Sequence, residues 1–216
     1  MCGRYTLHSL IGELQQHFGL FDGLDFRPSY NIAPSRQVPV VRTRDQAREL
    51  ALCQWGLVPH WVKGAPQQRP INARGETVAA KPFFRNAYRN RRCLIPANGF
   101  YEWKRDGARK QPWYFHLQDR DLFAFAGLWE SWDGGGETLE TCAIITTGAN
   151  AIMRPVHDRM PVILDPDQYD GWLREGRKEL IGPYAGALTC HPVGLRVNKP
   201  SNDDAALLEP VPAGPA

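Results

Sequence analysis

Between Arg92 and Thr147 five β-forming runs follow one another closely: Arg92 to Pro96, Gly99 to Lys104, Trp113 to Leu117, Leu122 to Trp129 and Glu140 to Thr147. Asp106-Gly107 and Asp133-Gly134 mark tight turns between neighbours, since Asp and Gly tolerate the left-handed backbone that short hairpin loops demand. Upstream, Val38 to Arg42 and Leu50 to Trp55 read as two more strands across a charged turn, and Thr189 to His191 as a late one. Helices are few. Ser9 to Gly19 reads as an amphipathic helix capped by Ser9 and ended by Gly19, with Leu10, Ile11, Leu14 and Phe18 on one face. Phe83 to Asn90 reads as a short helix, and Asp165 caps another that has Pro166 at its first position and runs to about Arg174. Phe21 to Pro34 and Val58 to Pro70 read as ordered loops. Strands and helices do not alternate as in a doubly wound fold. The expected class is therefore α+β, with a curved or barrel-like, mostly antiparallel sheet and a few peripheral helices. The 216 residues suffice to bury a core without staples. The expected organisation is one domain over residues 1–202 and a tail over 203–216, disordered at its end.

Five cysteines, Cys2, Cys53, Cys93, Cys142 and Cys190, stand far apart with no C-x-x-C pair. That pattern points away from a disulfide framework and from a metal site, and towards a reducing compartment. The start, MCGRYTLH, lacks the apolar core of a signal peptide, and no apolar run approaches the length of a membrane span. The expectation is a soluble cytoplasmic monomer with no cofactor. The formal net charge of +3 neither requires nor excludes nucleic acid. Its distribution says more: Arg69, Arg74, Lys81, Arg85, Arg89, Arg91 and Arg92 are accompanied only by Glu76, a local field that attracts phosphate if it is more than a solvated face.

Cys2 is the most informative residue. Loss of Met1 would leave a thiol and an α-amine on adjacent carbons, the amine with a pKa of about 7.7–8.0 and so partly nucleophilic near neutrality. An aldehyde meeting that amine gives an imine, and the thiol closes on the same carbon to give a thiazolidine. N-terminal cysteine hydrolases, some of which also begin Met-Cys-Gly, use the same pair differently: the thiol attacks an amide and the amine is the base. Residues elsewhere must decide between the two. Ile71-Asn72-Ala73-Arg74-Gly75-Glu76 pairs an amide with an arginine, suited to a sugar oxygen and a phosphate, or else forms a turn. Glu102 lies in an aromatic β run, where a carboxylate serves proton transfer or pairs with Lys104. His157, followed by Asp158 and Arg159, is a candidate general acid or base or a structural imidazole.

These segments, in this order, resemble the SRAP family, the SOS response-associated peptidase domains that process abasic sites. The matching stretches are MCGRY, Tyr30 to Pro34, Trp55 to Pro59, Ile71 to Thr77, Asn98 to Trp103, Ile145 to Thr147, His157 to Pro161 and His191 to Val193. The resemblance implies that Cys2 bonds covalently to the ring-opened sugar of an abasic site in single-stranded DNA. It implies that Asn72 orients the sugar and that Glu102 and His157 are catalytic. It places Arg4, Arg74, Arg85 and Arg159 at phosphate contacts and Trp61 in a loop beside the DNA. Self-cleavage of Met1 by the same Glu and His, or removal by an aminopeptidase, both remain open. Two other readings also stand at this point: an N-terminal cysteine amidohydrolase, and a noncovalent reader of damaged or modified DNA.

Overall fold

Strand pairing in the computed structural model closes on itself. The structure describes residues 2–21, 23–64, 66–107, 109–134 and 136–212. Thirteen strands are β1 (Tyr5–Leu7), β2 (Ser29–Ile32), β3 (Gln37–Arg44), β4 (Ala47–Trp55), β5 (Asn72–Arg74), β6 (Arg92–Ala97), β7 (Gly99–Asp106), β8 (Arg109–Leu117), β9 (Phe123–Trp132), β10 (Leu139–Gly148), β11 (Arg159–Pro161), β12 (Ile163–Leu164) and β13 (Leu188–Pro192). The larger sheet runs β11-β10-β4-β3-β6-β9-β12, and β10 also pairs with β9, so that β10, β4, β3, β6 and β9 form a ring. The second sheet runs β13-β8-β7-β1-β2. All pairings between these strands are antiparallel except those of β10 with β4 and with β5. The expected α+β class, with a mostly antiparallel curved sheet and few helices, is what the structure shows.

The interior of the ring is apolar. Val38, Val40, Cys53, Cys93, Ile95, Phe123, Phe125, Cys142 and Ile144 share one face of it and are all buried. The Cys53 thiol, deprived of water, is pushed up to about 12.

Helix α1 (Ile11–Phe18) is shorter than expected and is not capped by Ser9. The Leu10 backbone N–H instead donates to Glu13 Oε2 at 2.6 Å, while Ser9 Oγ accepts from Asn98. Leu14 and Phe18 are buried but Leu10 is exposed, so the apolar face is narrower than the sequence suggested. Gly19 does end the helix, at φ +64°. Helix α2 (Arg85–Asn90) falls within its expected range. The helix expected over 165–174 is present as one helical run over residues 166–175, 3₁₀ at Pro166–Gln168 and π at Gly171–Glu175. Contacts at both ends tie it to the rest of the fold. The Asp165 carboxylate is taken by Arg120 and by the Tyr184 hydroxyl at 3.0 Å. Trp172 points inward, its indole N–H on the Cys93 carbonyl at 2.9 Å. Arg92 caps the wide turn by donating to the carbonyls of Trp172, Leu173 and Arg174. Because Trp172 is fully buried, Trp172→Ala is expected to cost about 3–5 kcal/mol, read as a lower midpoint of urea unfolding with little change in slope.

The chain passes from one sheet to the other at Asn98. Its carbonyl oxygen accepts from the backbone N–H groups of His8 (2.7 Å) and Ser9 (3.1 Å), and its amide donates to Ser9 Oγ and to the Asp121 carbonyl. A side chain on Gly99 would collide with the Tyr114 ring, so only glycine fits that corner. The corner aims β7 back along β1, with Phe100 opposite Tyr5.

The packed chain continues past residue 202. Asp203 accepts from Ser29 Oγ and Tyr30 N, Leu207 is buried, and Val193 bridges to Pro210. The disordered end expected of the tail lies mostly in residues 213–216, outside the described residues. No helix among the described residues is long and apolar enough to cross a membrane.

Candidate functional site

Cys2 stands three residues ahead of β1, which lies between β7 and the edge strand β2 in the smaller sheet. The Tyr101 N–H donates to the Arg4 carbonyl at 2.9 Å. The same register, carried one residue further, sets Glu102 of β7 opposite Gly3. Asn72 arrives from the other sheet. Strand β5 lies parallel to β10, Asn72 beside Ile144, and the Asn72 Nδ2 donates to the Cys2 carbonyl at 2.8 Å. Its Oδ1 is buried with no hydrogen-bond partner among the described residues. A buried acceptor of that kind is costly unless a ligand satisfies it.

Electrostatics tie Glu102 to Cys2. The thiol is fully buried, and burial pushes its pKa well above the usual range; the Glu102 carboxylate raises it further, and the Arg4 backbone N–H opposes both. Cys2 is thus a neutral thiol at pH 7. Glu102 is itself 4% exposed.

His157 follows a helical turn, its own N–H on the Met153 carbonyl at 3.0 Å, and precedes β11. Its Nδ1 accepts from the Arg159 N–H at 2.9 Å and lies 3.0 Å from Asp158 Oδ1. In the neutral ring the first contact sets the proton on Nε2. His157 and Glu102 line one open cleft of about 420 Å³, together with Trp103, Arg105, Lys110 and Asn198.

The remaining expected residues divide. Arg4 is turned inward, its Nη1 donating to Asn31 Oδ1 (2.7 Å) and the Val197 carbonyl (2.8 Å). Its guanidinium lies 5.9 Å from the Trp103 ring. Arg159 is held by Glu76 and by the Thr146 carbonyl at 2.8 Å, and the hydrogen-bonded guanidinium lowers the Glu76 pKa. Arg74 and Arg85 are exposed. Arg85 lines a separate groove with Trp61, His60, Pro82, Asn86 and Arg89, and Trp61, half exposed, meets the Phe83 ring edge-on. Of the basic run from Arg69 to Arg92, Arg91 is spent on the buried Glu130 and Arg92 on backbone carbonyls. Arg74, Lys81, Arg85 and Arg89 face solvent. Among the described residues no group of His, Cys, Asp or Glu is placed to hold a metal ion.

Sequence reasoning did not single out Trp103, Asn198, Arg105 or Lys110. Trp103 donates its indole N–H to Asn198 Oδ1 at 2.7 Å, a contact across 95 residues of chain that no local pattern signals. The two basic residues had a visible signal in the cluster of charges around Asp106-Gly107.

The chain is 40% identical over 222 residues to the abasic site processing protein YoaM of Bacillus subtilis, covering 97% of this chain and 98% of that protein. It is 30% identical to the abasic site processing protein YedK of Escherichia coli, covering 98% and 100%. A crystal structure of a protein from Bacteroides thetaiotaomicron superposes with a TM-score of 0.85 at 25% identity, covering 97% of this chain and all of that one. The family model for SOS response associated peptidase (SRAP) matches residues 1–200, and the chain belongs to that family.

Proposed function

We propose that this protein processes abasic sites by capturing them covalently in single-stranded DNA, through a thiazolidine formed by Cys2 after loss of Met1. The relatives described above carry the name abasic site processing protein. The observation that carries the chemical reading is the hold of Asn72 on Cys2. One end of its amide fixes the Cys2 carbonyl, and the other is a buried acceptor that a sugar hydroxyl satisfies. Held so, amine, thiol and sugar gain the advantage of proximity.

His157 gives a proton to the sugar ring oxygen while the C1 hydroxyl gives one up, so that the C1–ring oxygen bond breaks and the aldehyde carbon is exposed. The Cys2 amine adds to that carbon, and Glu102 moves the protons that let water leave, giving the imine. The S–H then adds across the C=N bond, sulfur to carbon and hydrogen to nitrogen, so that one water is released overall. The raised thiol pKa fits this order. A neutral thiol leaves the amine to attack first, whereas the amidohydrolase reading needs the thiol to lead.

The test compares chain whose Met1 is removed, verified by mass spectrometry, with chain that retains it. Each is mixed with single-stranded DNA carrying one abasic site and run on a denaturing gel after heating. The processed chain is expected to give a heat-resistant shifted band and the Met1-retaining chain none. No band from the processed chain would refute covalent capture. An equal band from both would show that the α-amine of Cys2 is not the nucleophile.

A further inference from the structure

The hairpin of β7 and β8 breaks a rule of sheet design. Arg105 lies directly opposite Lys110 in the register, with Lys104 opposite Gln111 and Trp103 opposite Pro112. Like charges facing each other across a strand pair destabilise it. Between Trp103 and Pro112 the sequence holds four bases, Lys104, Arg105, Arg109 and Lys110, against one acid, Asp106. Lys104, Arg105 and Lys110 are exposed, and none of the three is in an ion pair among the described residues. Among the described residues no ion pair offsets the repulsion, which is the pattern expected where function opposes stability.

The base of the hairpin is tied down. Gln111 Nε2 donates to the Val193 carbonyl at 2.8 Å and Trp103 Nε1 to Asn198, two ties to the C-terminal segment lying on the outer face of the smaller sheet. Arg105 and Lys110 meet at the wall of the cleft that also holds Glu102 and His157. A polyanion threading that cleft neutralises both charges at once.

We infer that the Arg105–Lys110 pair is a phosphate-binding rail that holds the nucleic-acid strand at the mouth of the Glu102–His157 cleft. This rests on the reading that the cleft receives an abasic site in DNA. It adds a contact surface distinct from the groove of Trp61, Arg85 and Arg89, with which it shares no residue.

The experiment measures binding without chemistry, using a fluorescein-labelled single strand with one tetrahydrofuran abasic analogue, which has no aldehyde. Anisotropy titrations across a salt series compare wild type, the double variant Arg105→Gln/Lys110→Gln and the charge-keeping double variant Arg105→Lys/Lys110→Arg. Each phosphate contact to a single strand contributes about 0.7 to the slope of log K against log salt. The Gln pair is expected to lower the slope by about 1.4 and to weaken binding about 10-fold or more near ~0.1 M salt. The charge-keeping pair should retain the slope. Melting of the Gln pair should occur at or above the wild-type temperature, because a repulsive pair has been removed. An unchanged slope and affinity would overturn the rail, and so would a marked fall in melting temperature, which would make the pair structural. The fate of the covalent reading is separable. Wild type that binds with the expected slope but forms no adduct on true abasic DNA rejects covalent capture and leaves the rail standing. Adduct formation with an unchanged slope in the Gln pair rejects the rail alone.

Discussion

Cys2→Ala, with Met1 removed, is expected to give no heat-resistant adduct with abasic single-stranded DNA, a loss to the detection limit of the gel. The variant keeps its α-amine and can still form an imine, but an imine hydrolyses, and only the sulfur closes the ring that makes the bond last. Cys2→Ser sharpens the point, since a hydroxyl fills nearly the same space beside the Asn72 amide but is a far weaker nucleophile towards the imine. It should give a stable band only when borohydride reduces the imine in place. The comparison isolates the thiol from the amine, which a single substitution to Ala cannot do. Because Cys2 is fully buried, each variant's melting curve is recorded alongside. A heat-resistant band from folded Cys2→Ala, without reductant, would mean that another residue makes the bond.

Glu102→Gln is expected to slow adduct formation by about 10²–10⁴-fold, the usual contribution of a placed acid–base group. The substitution keeps shape and most hydrogen-bonding capacity but cannot carry the proton from the attacking amine to the departing water. A second readout follows from the field of Glu102 on Cys2. The carboxylate disfavours the thiolate, so its neutralisation lowers the Cys2 thiol pKa, and the rate of thiol alkylation should rise at lower pH than in wild type. A merely structural Glu102 would change stability without moving that titration in this direction. An unchanged adduct rate would remove Glu102 from the mechanism.

The legible part of the fold is the part that propensity and turns specify. The runs from Arg92 to Thr147 became β6 to β10 with ends extended by a few residues, because the Asp-Gly turns and β-forming side chains act locally. Strand β2 was hidden inside a segment read as loop from Phe21 to Pro34. Strands β5, β11 and β12 are short, and each exists through its pairing with β9 or β10 rather than through its own composition. The helix over 166–175 was legible from Asp165 and Pro166, but its widening into a π turn around the buried Trp172 was not, because that follows from distant partners. The same division holds at the candidate site. Cys2, Asn72, Glu102 and His157 stood out as residue types in ordered motifs. That Asn72 reaches Cys2 from the other sheet through β10 was not readable, nor was the turning of Arg4 towards Asn31 and Val197. The charges of the β7–β8 hairpin were visible, but the fact that two of them face each other depends on a register that only the folded chain supplies.

The position of β1 bears on how a captured strand of DNA would be let go. Chain ends ordinarily fray, and fraying is the foothold that unfolding machines and proteases use. Here Cys2 leads straight into a strand flanked by β7 on one side and β2 on the other, and β7 reaches the second sheet through the Asn98 corner. Pulling on DNA joined at Cys2 loads that interior strand along its length, against several hydrogen bonds at once. The protein would resist a motor running along the strand as a fixed roadblock. Clearing it would take either chemical reversal at the sugar or the unravelling of the whole domain.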